Sequence, residues 1–128
     1  MKRTAVLYLL VLNAFCFSAR DRTLFQRGDA GYACFRIPAV VFTQQESILV
    51  FAEARKNGCS DTGNIDLVMR RSTDGGKTWS PIMVVHDNGD NVCGNSVPVL
   101  DRTTGRTVVV YRGNPTYWFM MDPPHTRT

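Results

Sequence analysis

Metal-ligand spacing is missing from this 128-residue sequence, which has only four cysteines and two histidines. Neither C-x-x-C nor H-x-x-x-H occurs, so a zinc site is not expected and no cofactor is implied. A strong excess of charge is missing as well, because 15 basic and 11 acidic residues give a net charge of +4. This balance does not favour nucleic acid as a partner, but a basic cleft would suit an anionic substrate.

Long hydrophobic runs are missing after the N-terminal segment. Lys2 and Arg3 precede an apolar stretch from Thr4 to Phe17, which is too short to span a bilayer comfortably. We therefore predict a signal peptide at residues 1–18; the alternative is an uncleaved membrane anchor. Since no second apolar run follows, the rest of the chain is expected to have no membrane span and to be secreted or delivered to lysosomes.

Cysteine is scarce, and one of the four leaves with the predicted signal. Cys34, Cys59 and Cys93 remain. This odd number permits one disulfide and one thiol in an oxidising compartment. We predict the pair Cys59–Cys93, because both residues lie in predicted loops.

Helical periodicity is missing after the N-terminal segment, and strand patterns dominate. Runs rich in β-branched and aromatic residues, separated by polar turns, predict strands at 35–43, 48–54, 65–70, 82–85, 97–100 and 106–111. The first four form a four-stranded antiparallel meander, which is the unit of a propeller blade, and the last two begin a second unit. The third strand is predicted to be half-buried, with Asp66 on its polar side.

The pattern divides the chain after the signal into two parts. Residues 24–113 are interpreted as one complete blade and part of a second, in an all-β protein. Residues 114–128 form an atypical tail, because the aromatic residues at 117–119 run together without alternation and two prolines follow. Two interpretations of this tail stay open, a natural terminus and the artefact of a truncated gene model, of which we favour the second.

The most specific motif is the Asp-box pattern S-x-D-x-G-x-x-W, filled at every defined position by Ser72, Asp74, Gly76 and Trp79. The Asp74 carboxylate can accept N–H groups of its own turn. Gly76 supplies a positive φ without a Cβ clash, and Trp79 buries a large ring beneath the turn. The motif is structural: it favours a propeller and leaves the reaction open.

Two arginines and an aspartate stand near predicted strand ends. Phe35-Arg36-Ile37-Pro38 opens the first strand, and a guanidinium there offers a planar, charged fork that matches a carboxylate bidentately. Ala52-Glu53-Ala54-Arg55 ends the second strand, and Ser60-Asp61-Thr62-Gly63 follows in a loop. A carboxyl group in such a loop can act as a general acid. The plainer interpretations are a surface arginine for Arg36 and a turn aspartate for Asp61.

These motifs, in this order, resemble the N-terminal part of the exo-α-sialidase family over about Leu24 to Gly113. The segment Gly94 to Val99, which reads G-N-S-V-P-V, and the D-x-x-T-G turn at 101–105 fit the same family. The resemblance implies a six-bladed β-propeller of the sialidase type. It also implies a retaining hydrolase that removes terminal sialic acid from glycoproteins, glycolipids and oligosaccharides, so sialylated glycoconjugates are the expected partners.

The resemblance also implies roles for individual residues. Arg36 would be one of three arginines that clamp the substrate carboxylate, and Arg55 would bind near that carboxylate and the C4 hydroxyl. Asp61 would be the catalytic acid/base, with Asp66 as the competing candidate. Asn95 would lie at the pocket mouth, near the C4 or C5 substituents of the sugar.

Other parts of the family's machinery are expected outside this chain. The family uses a tyrosine nucleophile assisted by a glutamate, and both lie far downstream, as do two further clamp arginines. Tyr111 and Tyr117 do not stand in matching contexts, so the chain alone is expected to be inactive. The alternatives are a non-catalytic Asp-box propeller fragment that binds glycans or proteins and a short secreted interaction module. Glu53 has two open interpretations, a partner that holds Arg55 and a solvated strand residue.

Overall fold

The computed structural model describes residues 21–113 and 117–121 of the chain. This part contains a short 3-10 helix, Asp29–Gly31, and seven strands. In chain order the strands are β1 (Cys34–Phe42), β2 (Ile48–Arg55), β3 (Ile65–Ser72), β4 (Met83–His86), β5 (Cys93–Asp101), β6 (Arg106–Gly113) and β7 (Tyr117–Met121). The all-β prediction is confirmed.

The strands form two antiparallel sheets. The first has the order β1-β2-β3-β4, which is the predicted meander, and the second has the order β5-β6-β7. β7 lies inside the predicted tail 114–128, where it pairs with β6. The predicted signal peptide, with residues 114–116 and 122–128, lies outside the described residues. Within the described ranges, no helix has the length and apolar character that a bilayer crossing would require.

The main hydrophobic core lies between the two sheets. Side chains of β2 and β3 pack against side chains of β5 and β6; the buried members are Leu49, Phe51, Leu67, Met69, Cys93, Val109 and Tyr111. Removal of this apolar surface from water is the main force that holds one sheet on the other. It also brings the start of β5 close to the end of β2, where the candidate site lies.

β3 is buried on both faces, so the prediction of a half-buried strand was wrong. Asp66 is only 1% exposed. Its Oδ2 accepts a hydrogen bond from the Tyr32 hydroxyl at 2.6 Å and lies 3.2 Å from Lys56 Nζ. The segment before β1 covers this face, because Tyr32 packs there with Ala54 and Val68. Alternation along one strand could not indicate this cover, which comes from a distant part of the chain.

The disulfide joins Cys34 to Cys59, with Cα atoms 5.3 Å apart, so the predicted pair Cys59–Cys93 was wrong. Cys93 is a buried free cysteine. It begins β5 and packs in the core, whereas the prediction placed it in a loop. Cys34 begins β1 opposite Arg55, the last residue of β2, and the loop that carries Cys59 follows directly. The correct partner was therefore the cysteine at the neighbouring strand end.

The β3–β4 turn is held by side chains of its own residues. Asp74 Oδ1 accepts hydrogen bonds from Thr78 N–H at 2.9 Å and from Ser72 Oγ at 2.8 Å. Gly76 has a φ of 85°, and Trp79 Nε1 donates to its carbonyl oxygen at 3.1 Å. A Cβ built at Gly76 would lie 3.7 Å from the Trp79 ring. The turn follows the end of β3 that is remote from the candidate site.

Candidate functional site

Two arginines and one aspartate meet where β1 and β2 approach the loop 56–64. Arg36 Nη1 lies 2.9 Å from Asp61 Oδ1, and Arg55 Nη1 lies 2.8 Å from the same oxygen. Arg36 comes from β1, Arg55 is the last residue of β2, and Asp61 lies in the loop that follows. Three of the residues singled out from the sequence are therefore in direct contact.

Arg55 is fixed on several sides. Its side chain is 3% exposed. Its Nε donates to Glu53 Oε2 at 3.1 Å, and its Nη2 also binds that oxygen. Its Nη1 donates to the carbonyl oxygens of Cys59 and Ser60 at 2.6 and 2.8 Å. Because each nitrogen of this planar group has a partner, the guanidinium is held in one orientation.

Glu53 connects Arg55 to the second sheet. Its Oε1 accepts a hydrogen bond from the backbone N–H of Asn95 at 2.9 Å. A Cβ at Gly94 would lie only 2.5 Å from the same oxygen, so glycine is needed for this approach. Glu53 is buried, which decides between its two interpretations: it is a partner of Arg55 and not a solvated strand residue. We call Glu53 and Arg55 the floor of the site.

Arg36 is placed by a bulge in β1. Arg36 pairs with Glu53 and Ala39 pairs with Phe51, so β1 has one residue more than β2 over this interval. Ile37 lies inside the bulge, with a φ of 54°. Bulges of this kind redirect side chains at the edge of a sheet. The Arg36 side chain is 46% exposed and that of Asp61 is 76% exposed; we call these two residues the rim of the site.

The arginines keep Asp61 ionised. A hydrogen bond from Arg55, together with the nearby charges of Arg36 and Arg55, lowers the pKa of the Asp61 carboxyl. Both guanidinium groups thus hold a carboxylate at an exposed position. The arrangement is suited to binding a carboxylate from solution in the same place, because two forks of positive charge converge there.

The disulfide belongs to the site, which the sequence analysis missed. Cys34 lies two residues before Arg36, and Cys59 lies two residues before Asp61. The bond Cys34–Cys59 therefore ties the strand that carries one rim residue to the loop that carries the other.

Asn95 and Asp66 have different places. Asn95 is exposed at the start of β5 and is joined to the floor through its backbone N–H, not its side chain. Asp66 pairs with Ala54, which lies on the opposite face of the sheet from Glu53 and Arg55. Since Asp66 is buried there against Tyr32, it does not face the rim and is a poor candidate for the acid.

Fold and site together define a class: an antiparallel β-sheet protein in which two arginines converge on one exposed carboxylate. Comparison with known proteins names a family, although no protein-family model matches the chain. The chain is 40% identical over 80 residues to an exo-alpha-sialidase of Arthroderma benhamiae, covering 58% of this chain and 20% of that protein. An exo-alpha-sialidase of Aspergillus fumigatus is 40% identical over 77 residues, covering 56% and 19%.

A bacterial relative extends the similarity over more of the chain. A sialidase of Bacteroides fragilis is 31% identical over 110 residues, which is 75% of this chain and 20% of that protein. Over the aligned residues, this chain is a homologue of the exo-α-sialidase family. It spans about a fifth of the length of these curated relatives.

Proposed function

We propose that this chain supplies the part of an exo-α-sialidase that recognises the acidic group of a terminal sialic acid and protonates the departing oxygen. The observation that supports it best is the shared contact at the rim: guanidinium nitrogens of Arg36 and Arg55 both lie within 2.9 Å of one exposed carboxylate oxygen. A sugar carboxylate in that position would meet two charged donors, one of which is held rigidly by the floor.

The proposed roles follow from these positions. Arg36 clamps the sugar carboxylate, and Arg55 binds beside it, near the C4 hydroxyl. Asp61 is the acid/base, since its exposed loop position lets it reach the glycosidic oxygen. Asn95 lies at the mouth of the pocket, near the C4 or C5 substituents. The chemistry needs no cofactor.

The nucleophile is proposed to come from sequence outside this chain. Tyr32 and Tyr111 are buried, and burial raises the pKa of each hydroxyl. Neither is placed to attack a sugar at the rim: Tyr32 is on the Asp66 face, and Tyr111 packs in the core between the sheets. The complete enzyme is proposed to be a secreted or lysosomal six-bladed propeller that hydrolyses sialosides with retention of configuration.

Ligand binding by the purified chain tests the recognition step. We expect the α-methyl glycoside of N-acetylneuraminic acid to shift the backbone NMR resonances of Arg36, Arg55 and Asp61. The methyl ester of the same glycoside, which has no negative charge, should bind much more weakly. No turnover of a synthetic sialoside is expected from this chain alone.

A charge-matched pair of variants gives the control. Arg36→Ala should abolish binding of the glycoside, whereas Arg102→Ala, in the exposed β5–β6 turn, should leave it unchanged. Equal binding of the acid and its ester by the parent chain would contradict recognition of the carboxylate. It would favour the alternative of a non-catalytic glycan-binding module.

A further inference from the structure

Asp61 is the ion-pair partner of two arginines and also the proposed general acid, and these two roles conflict. Asp61 occupies the point at which Arg36 and Arg55 converge, so it stands where a sugar carboxylate would bind. A general acid must carry a proton when it acts. A carboxyl group held between two guanidinium groups is instead kept ionised.

We propose that a sugar carboxylate displaces Asp61 from the two arginines, and that only this exchange frees Asp61 to take up a proton. This inference rests on the proposed function. It makes Asp61 a specificity-determining residue as well as an acid: a neutral glycoside leaves the arginines to Asp61, and the acid stays ionised and unusable.

The contacts of the two arginines allow such an exchange. Arg55 keeps its bonds to Glu53 and to the carbonyl oxygens of Cys59 and Ser60 whichever carboxylate occupies the rim. Asp61 is 76% exposed, so on leaving the arginines it enters water without passing through packed structure. Exposed ion pairs of this kind are weak, and an arriving carboxylate can replace them.

The charges around Asp61 fix the direction of the effect. Arg36 reaches it from β1 and Arg55 from β2, while the negative charge of Glu53 lies behind Arg55. Before the exchange both neighbours of Asp61 are positive. Afterwards the arginines are neutralised by the ligand, whose own negative charge lies close by. The pKa of Asp61 must therefore rise when an acidic sugar binds, and the proton comes from solvent.

The coupling between proton uptake by Asp61 and ligand binding has a defined sign. Because binding takes up a proton, the affinity for the acidic sugar falls as the pH rises from the lowered pKa of Asp61 in the free chain to its higher pKa in the complex, and it is constant above that. An ester of the same sugar cannot displace Asp61, so its weak binding should be independent of pH in this range.

The test follows the carboxyl carbon of Asp61 by ¹³C NMR from about pH 3 to about pH 7, a range around the ordinary pKa of aspartate. We expect the methyl glycoside of N-acetylneuraminic acid to raise the pKa of Asp61 and its methyl ester to leave it unchanged. If the glycoside binds and the pKa of Asp61 stays the same, the exchange is wrong and the proposed function stands. If the glycoside does not bind, the proposed function itself fails.

One variant distinguishes displacement of Asp61 by the ligand from direct contact between Asp61 and the ligand. Asp61→Asn removes the competing charge, so it should bind the acidic glycoside several-fold more tightly near neutral pH and lose the pH dependence. Glu46→Gln removes one charge at the other end of the β1–β2 hairpin and should behave like the parent chain. Weaker binding by Asp61→Asn would mean that Asp61 holds the ligand and does not compete with it, which overturns the proposal.

Discussion

The floor and the rim of the site each pair an arginine with a carboxylate, but they differ in their access to water. Arg55 and Glu53 have side chains 3% and 4% exposed, whereas Arg36 and Asp61 are 46% and 76% exposed. A buried ion pair that loses one partner leaves a charge that water cannot reach. A rim residue that loses its partner is hydrated instead. The floor should therefore stabilise the fold, and the rim should be where a ligand replaces a partner.

The largest loss is expected from the floor. Glu53→Ala leaves the Arg55 guanidinium buried without its carboxylate and should lower the free energy of unfolding by about 3–5 kcal/mol. Glu53→Gln keeps the shape and an oxygen for the Asn95 N–H, so it should lose less. Urea denaturation of the two variants measures the difference, and a Glu53→Gln variant as stable as the parent chain would show that the charge of Glu53 does not matter.

The disulfide is expected to come next. It closes a sequence separation of 25 residues, and loss of a crosslink of this length costs about 3–4 kcal/mol on the chain-entropy account. The double variant Cys34→Ser/Cys59→Ser should show this loss in thermal and urea unfolding. Cys93→Ala leaves the crosslink intact and removes only part of a buried side chain, so it should lose less than the double variant. A double variant as stable as the parent would mean that the other contacts of the loop 56–64, including those of Arg55 and Lys56, hold it without the crosslink.

The contact between the floor and β5 should give a smaller effect. Gly94→Ala places a Cβ 2.5 Å from Glu53 Oε1, and overpacking of this kind costs about 1–3 kcal/mol. In a Glu53→Ala background the clash is gone, so the same substitution should cost much less. A double-mutant cycle on unfolding free energies measures this coupling. Additive losses would contradict a close approach of the Gly94 backbone to the Glu53 side chain.

Local patterns along the sequence predicted six of the seven described strands, because pairing within a meander joins neighbouring segments, but they did not predict β7. They also placed Arg36, Arg55 and Asp61 at adjacent strand ends. What failed depended on segments far apart in sequence. Asp66 is buried because Tyr32 reaches it from before β1. Cys93 does not form the disulfide because it belongs to the second sheet and packs in the core, which no spacing of cysteines could indicate.

The β3–β4 turn gives a comparison outside the site, with an aspartate held by neutral donors. Hydrogen bonds from the Thr78 hydroxyl and its N–H lower the pKa of Asp74 to about 2. The stabilisation from Asp74 is complete above the pKa of an unfolded aspartate, about 3.9, and is lost as the pH falls through about 2. Asp74→Asn should flatten the fall of the urea midpoint over this window. If the parent chain and the variant lose stability in parallel over this pH window, the turn does not depend on the charge of Asp74.

The smallest effect on stability is expected at the rim. Arg36→Ala should leave the urea midpoint close to that of the parent chain, since exposed ion pairs contribute little and both partners are hydrated when separated. Arg36→Lys should also be stable, and it should bind the acidic glycoside more weakly than the parent because an ammonium group cannot offer two parallel donors to a carboxylate. If Arg36→Ala destabilised the chain as much as Glu53→Ala, the claim that the floor stabilises the fold and the rim does not would be wrong. If Arg36→Lys bound the glycoside normally, charge alone and not the planar fork would account for recognition at β1.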